Sequence, residues 1–452
     1  MSLFEKIPDS VYRFAARFES AGFECYPVGG CVRDLLSGKN PADYDFAVSS
    51  PPELTCKLFR RVIPTGIKHG TVTVLFEGFS FEATTFRTEN GYSDSRRPDS
   101  VSFTGSLAED LKRRDFTVNA LALDLKNQKI IDLFDGCGDL KRKLIRCIGS
   151  PQERFEEDAL RLLRAVRFAS CLGFEIDHPT FEAIVKAAPF VKKISAERIR
   201  DELTKIMKSS KPSIGWELMR RSGLITAVLP ELLPCIGFQE TENRRRDLYT
   251  RLIETCDALP PEKPLLRWAA LLNNIGKTKS LAEKDNRQSD NDYGKISAEI
   301  AGAVMRRLKF SNEQTQTVRL LIKTGTIRYD SSWSDGAIRR FAAAVPENLW
   351  DDWFTLRRAE ALTEESRTTL LLLDEFRERF RKCAMENPAL SLKDLAINGA
   401  DLLATGFPKS RIIGDTLKFL LEVVLENPSE NTRERLTELA KEYLLRTSEN
   451  QS

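Results

Sequence analysis

Asp43-Tyr44-Asp45 places two carboxylates two residues apart at the head of the apolar run Phe46-Ala47-Val48. Side chains alternate along a strand, so Asp43 and Asp45 are expected on one face while Tyr44 and Phe46 turn to the other. Carboxylates held side by side repel each other unless a cation sits between them, and hard oxygen ligands at this spacing suit Mg²⁺, which also takes the phosphate oxygens of a substrate. Just upstream lies Val28-Gly29-Gly30-Cys31-Val32-Arg33-Asp34. Its glycine pair lets backbone N–H groups approach a polyanion, and Arg33 adds a fixed positive fork. Together these residues describe a site for metal-assisted phosphoryl or nucleotidyl transfer.

Three further groups fit that chemistry. Glu82 is a polar residue in the apolar run Phe79–Thr84; it reads either as an ordinary solvent-facing side chain or as a third carboxylate, a metal ligand or a base for the attacking hydroxyl. Lys112-Arg113-Arg114 precede a strand-like stretch from Leu121 to Leu125 and are candidates for holding a triphosphate. In Phe155-Glu156-Glu157-Asp158-Ala159-Leu160-Arg161, helical spacing makes Glu157, Asp158 and Arg161 neighbours on one face. A surface salt bridge is the plain reading of that trio. The functional reading is that a carboxylate beside an arginine mimics a base edge: Asp158 accepts from the exocyclic amine of cytosine or adenine, Arg161 donates to the adjacent ring acceptor, and Glu157 fixes the arginine. Uracil and guanine would set a carbonyl against the aspartate.

The combination G-G-x-V-R-D, a short loop and D-x-D resembles the nucleotidyltransferase superfamily, specifically the class II tRNA nucleotidyltransferases together with the bacterial poly(A) polymerases. Arg113-Arg114-Asp115-Phe116-Thr117-Val118-Asn119-Ala120 resembles the second signature of that family, and Glu157-Asp158-Ala159-Leu160-Arg161 the third. The resemblance implies that Asp43 and Asp45 bind Mg²⁺, that Glu82 assists them, and that Gly30, Arg33 and Arg114 hold the nucleotide. It also implies that Asp115 and Asn119 shape the pocket, that Asp158 and Arg161 act as a protein template for CTP and ATP, and that Arg164 and Arg167 contact the nucleotide.

The elements that must position these residues are legible in outline. The first residues read as an amphipathic helix, not a signal peptide. Residues 63–70 read as a turn-rich link, Thr71–Phe76 and Phe79–Thr84 as a hairpin turning at Gly78, and residues 87–110 as a mobile loop. A turn at Asp135–Gly138 is expected to end the sheet region. Ser150-Pro151-Gln152-Glu153 then starts a helix, and helical periods run almost exclusively to the C-terminus. The fold class expected is α+β: a small mixed-sheet head over residues 1–147, then an all-α neck (148–205), body (206–330) and tail (331–452).

Bulk composition sets limits. At 452 residues the chain exceeds one core, so several modules are expected. Its nine cysteines lack C-x-x-C pairing, which argues against a disulfide framework and a zinc site and for a cytoplasmic location. Net charge is only +3, so any nucleic-acid footprint is local. Only His69 and His178 exist, excluding most histidine-based catalysis. No apolar run is long enough to span a bilayer.

Within the family, the stretch Pro64-Thr65-Gly66 to His69-Gly70-Thr71-Val72 looks like the tRNA enzymes, and the C-terminus lacks the basic tail of poly(A) polymerases. A full-length 87–110 segment argues against a CC-only enzyme. The expected activity is therefore template-independent CCA addition to tRNA from CTP and ATP, with the A-adding type, a bacterial poly(A) polymerase and an inactive RNA-binding relative as alternatives. No membrane or protein partner is implied. Where relatives carry H-D-I-G-K of a phosphohydrolase module, this chain has Asn273-Asn274-Ile275-Gly276-Lys277, and no histidine follows His178; that module is expected to be structural. Residues 397–431 resemble the tRNA-contacting tail, where Lys409 and Arg411 would suit phosphates.

Overall fold

A computed structural model describes residues 3–90, 100–239, 246–282, 292–386 and 391–449. The chain divides into two compact units, Met1–Leu233 with Arg307–Lys309, and Pro234–Arg306 with Phe310–Ser452.

The first unit begins with α1 (Asp9–Ser20), β1 (Cys25–Val28), α2 (Gly30–Leu36), β2 (Asp45–Val48) and α3 (Pro52–Leu58). Next come β3 (Val62–Gly66), β4 (Thr71–Phe76), β5 (Phe79–Thr85), β6 (Arg87–Asn90), β7 (Ser100–Phe103) and α4 (Leu107–Lys112). The elements β8 (Leu121–Asp124), β9 (Lys129–Asp132) and α5 (Gly136–Arg142) follow. Among the described residues seven strands form one sheet in the order β3-β4-β5-β2-β1-β8-β9. Only the β2–β5 pair is parallel; its register sets Asp45 opposite Glu82 and Phe46 opposite Ala83, while the antiparallel β1 sets Val28 opposite Asp45.

Strand alternation gives the sheet two different faces. Phe46, Val48 and Phe81 pack with Phe14 and Phe18 of α1 and with Phe59 into one buried cluster. The Phe14 ring lies 4.6 Å from Phe46 and 4.7 Å from Phe81. Such rings bury the largest apolar area available to a small head. The other face is lined by Val28, Ala47 and Ala122, packed against Phe86, Leu111 and Ile148. Asp45 and Glu82 belong to this second face by register.

Two expectations are revised here. Val62–Gly66 is an edge strand paired with β4, not a link. The segment expected to be a mobile loop carries a two-stranded ribbon, Arg87 opposite Phe103 and Asn90 opposite Ser100, then α4; its residues 91–99 lie outside the described residues. Strand β9 extends the sheet past β8 and is its last strand in chain order; the Asp135–Gly138 turn follows it, as expected, and leads into α5.

The two-residue strands β10 (Leu144–Ile145) and β11 (Glu175–Ile176) pair in parallel and are the exception to the helical run. Helices α6 (Pro151–Glu157), α7 (Leu160–Leu172), α8 (His178–Ala187), α9 (Ala196–Met207), α10 (Pro212–Arg221) and α11 (Leu224–Val228) complete the first unit. Ser150 and Pro151 start α6 as expected, without a side-chain capping bond.

The second unit is built from α12 (Leu248–Asp257), α13 (Pro264–Leu272), α14 (Lys277–Ala282), α15 (Asp292–Arg307), α16 (Asn312–Thr324) and α17 (Asp335–Ala344). It continues through α18 (Trp350–Thr363), α19 (Arg367–Glu386), α20 (Gly399–Ala404), α21 (Ile412–Glu426) and α22 (Arg433–Glu449). Trp353 and Phe376 centre one aromatic cluster in it. Among the described residues no helix is long and apolar enough to cross a membrane.

Candidate active site

A cleft of about 590 Å³ in the first unit is lined by Gly29, Gly30, Arg33, Asp45, Glu82, Arg114, Asp158, Arg161, Arg164 and Arg167, together with Arg87, Arg113, Asp115, Asn119, Phe168 and Arg198. Nine of the ten catalytic and nucleotide-holding residues expected from sequence, with the pocket-shaping Asp115 and Asn119, thus meet in one cavity. Asp43, the tenth, is exposed beside it, with Tyr44 and Phe46 buried between and after the two aspartates, as alternation requires.

The carboxylate side is electrostatically tense. Asp45 has its pKa raised to about 6, first by desolvation in the cleft, then by repulsion from Glu82 and Asp43, against an opposing pull from Arg114. Like charges gathered in this way are relieved by a divalent cation, and the donors are hard oxygens. Among the described residues no three His, Cys, Asp or Glu side chains converge into a cage. The residues therefore fit an ion shared between two protein carboxylates and substrate oxygens, and Glu82 stands as their neighbour, not as the third wall of a closed site.

The glycine that geometry demands is Gly29. Its φ is +74°, and a Cβ there would stand 3.0 Å from Arg114 Nη1; at Gly30 a Cβ meets only Arg33 Nη2 at 3.7 Å. Gly29 lets α2 start directly beneath Arg114. Arg33, on α2, donates to Asp34 Oδ1 at 2.9 Å and to Asn119 Oδ1 at 2.8 Å. Arg114 pairs with buried Asp110 at 3.2 Å. Asp110 is held below the usual carboxylate range, because Arg114 and Arg113 outweigh the burial that alone would raise it.

On the helical side, the structure corrects the expected single helix face. The helix breaks at Asp158, whose backbone is extended (φ −140°, ψ 105°) between α6 and α7. Its Oδ1 accepts from Leu160 N at 3.0 Å and its Oδ2 pairs with Arg198 of α9 at 2.8 Å. Arg161 does pair with Glu157, as expected, and it is buried: Nη1 also donates to Arg154 O at 3.0 Å and Nη2 to Arg113 O at 3.2 Å. The last bond ties the template region to the arginine run of the head. Arg164 pairs with Asp115 at 2.6 Å and Arg167 with Glu202 at 2.8 Å. Asp115 is kept ionised below its ordinary value: burial opposes this, and the charge and hydrogen bond of Arg164 prevail.

Phe168 was not singled out from sequence, yet its ring gathers the cations: the Arg33, Arg164 and Arg167 guanidinium carbons lie 5.6, 5.4 and 3.9 Å from its centroid. Arg198 was missed as well. Its signal was one of many helix-surface arginines, and its partner lies 40 positions away. Eight arginines line the cleft against the four carboxylates Asp45, Glu82, Asp115 and Asp158. That excess suits a polyphosphate.

A seven-stranded head with Asp45 opening β2 and Asp43 two residues before it, an arginine-rich cleft and a helical remainder defines a nucleotidyltransferase. Three family models match in order: "Poly A polymerase head domain" over residues 25–146, "RNA and SrmB-binding site of polymerase A" over 173–236, and "tRNA nucleotidyltransferase domain 2" over 293–440. The CCA-adding enzyme of Lactobacillus delbrueckii subsp. bulgaricus is 36% identical over 424 residues, covering 93% of this chain and 94% of that one. That of Lactiplantibacillus plantarum is 49% identical over 227 residues, 50% and 54% of the two chains. Among solved structures, the Bacillus stearothermophilus CCA-adding enzyme in complex with CTP superposes with a TM-score of 0.74 at 27% identity, covering 98% of both chains. The chain belongs to the CCA-adding enzymes, the class II tRNA nucleotidyltransferases.

Proposed function

We propose that this chain completes the 3′ end of tRNA by adding CMP and AMP from CTP and ATP without a nucleic-acid template, and that Asp43 and Asp45 hold the Mg²⁺ the reaction uses. The observation that carries this reading is the single cleft in which Asp45 and Glu82 face an arginine-rich wall that includes Asp158 and Arg161. The Bacillus stearothermophilus enzyme that superposes on this chain was solved in complex with CTP, which supports the substrate class.

In the reaction the tRNA 3′-hydroxyl oxygen forms a bond to the α-phosphorus, the bond to the β-phosphate bridging oxygen breaks, and pyrophosphate leaves. The hydroxyl proton passes to Glu82, the neighbouring carboxylate that the metal assignment leaves free to act as base. Bound Mg²⁺ supplies neutralisation of the phosphate and alkoxide charge. Gly30, Arg33 and Arg114 hold the triphosphate, and Arg164 and Arg167 contact the nucleotide. Asp158 and Arg161 choose the base, with Arg198 fixing the aspartate and Glu157 the arginine. We assign catalysis to residues 1–147, base selection to 148–205, a structural body to 206–330 and tRNA binding to 331–452, in a cytoplasmic enzyme.

Incubation with tRNA ending before CCA, or in CC, and each labelled nucleotide tests the reading. Incorporation of both CMP and AMP supports it. AMP added only to ends already carrying CC assigns an A-adding enzyme instead, and long A tails on unrelated RNA assign a poly(A) polymerase.

A further inference from the structure

We infer that the second unit carries a separate binding site for a small organic oxyanion, centred on Arg357 of α18. Its cavity, about 670 Å³, reaches from Lys277 at the start of α14 to Leu372 and Leu373 on α19.

Two buried side chains in its lining keep donors without acceptors. Arg357 is only 8% exposed; Nη1 donates to Gly325 O at 3.1 Å and pairs with Glu360 Oε2 at 2.8 Å. Its Nε and Nη2 are buried without a hydrogen-bond partner among the described residues. Trp353, one turn earlier, is 1% exposed, and its Nε1 is in the same condition. A buried donor left unmade is costly, so natural structures keep few of them without a use. The bond to Gly325 O and the pair with Glu360 hold the guanidinium in place, close against the Gly325 backbone, where an added Cβ would stand 2.2 Å from Nη1. It is a held fork awaiting oxygen acceptors, which is the geometry that carboxylates and phosphates fill.

The charge of the lining agrees. Lys277 and Arg328 join Arg357, while the two glutamates are already engaged, Glu364 with Arg251 at 2.9 Å and Glu360 with Arg357 and Asn273. Leu372, Leu373 and Ile327 give the cavity an apolar wall, so an anion with a carbon skeleton fits better than a bare ion. The site is independent of the transfer chemistry proposed above.

Calorimetric titration of the full chain with inorganic phosphate, AMP and succinate tests this and separates phosphate from carboxylate ligands. At least one probe is expected to bind, and AMP or succinate more tightly than inorganic phosphate. Binding should weaken at least tenfold in Arg357→Met and in Leu372→Trp, which fills the cavity without touching the arginine, and should persist in Arg114→Ala of the other cleft. If Arg357→Met fails to fold, Leu372→Trp decides. Absence of binding by all three probes, or binding unchanged in Leu372→Trp, overturns the inference.

Discussion

Asp45 and Glu82 stand directly opposite each other on the sheet's one parallel strand pair, so two carboxylates far apart in the chain share one face. Desolvation in the cleft, reinforced by repulsion from Glu82 and Asp43, raises the Asp45 pKa from 3.8 to about 6. Folding therefore favours the protonated form of Asp45. That contribution to stability is complete below about pH 3.8 and is lost as pH rises through about 6. At pH 8 in a chelator, Asp45→Asn should be more stable than the wild type by ~1 kcal/mol, a value already discounted for the solvent in the cleft. The difference should vanish near pH 4. Thermal melts across that range check both ends, and a difference that grows on acidification contradicts the assignment.

The ionised pair is the form that takes a metal. Added Mg²⁺ should raise the wild-type melting temperature at pH 8 by mass action, and the gain should fade as pH falls below about 6. Asp45→Asn should show little or no gain. Equal metal-induced shifts in the two proteins would place the ion elsewhere.

Gly29 and Gly30 should respond differently to the same change. Gly29→Ala combines a positive φ with a 3.0 Å approach to Arg114 Nη1, whereas Gly30→Ala makes only an ordinary contact. A loss of about 1–3 kcal/mol is expected for the first, with a raised KM for nucleotide because Arg114 is displaced. Gly30→Ala should be nearly neutral for stability. Denaturant titration and steady-state kinetics separate the two.

Asp158 and Arg198 form one unit, joined at 2.8 Å. Asp158→Ala should admit UTP or GTP, with discrimination falling by ~1–3 kcal/mol while transfer continues. Arg198→Ala should lose part of the same selectivity, and the double variant should be no worse than Asp158→Ala alone. Additive losses measured in nucleotide competition assays would show that Arg198 acts elsewhere.

Much of this was legible in the sequence because the relevant chemistry is local. The aspartate pair, the arginine run and the alternation of Asp43, Tyr44, Asp45 and Phe46 are short-range patterns that tertiary structure preserved. What escaped was long-range or competitive. Arg198 reaches Asp158 only because α9 packs on α7, and Phe168 reads as a core residue until its three arginines are seen. The break at Asp158 hid inside an unbroken helical period, since Glu, Ala and Leu all favour helix. The clue was the aspartate itself, whose carboxylate competes for backbone N–H groups, here that of Leu160. The ribbon β6–β7 was masked by its polar composition, because an isolated pair of strands buries no apolar face.

The central claim is that the paired aspartates power nucleotide transfer onto tRNA. Single-turnover incorporation of labelled CMP and AMP into tRNA lacking CCA, with the wild type, Asp43→Asn and Asp45→Asn side by side, tests it most directly. Both variants should lose transfer of each nucleotide by ~10³-fold or more, the scale set by several kcal/mol of lost charge stabilisation, with folding and tRNA binding intact. Transfer at near wild-type rates by either folded variant would contradict it.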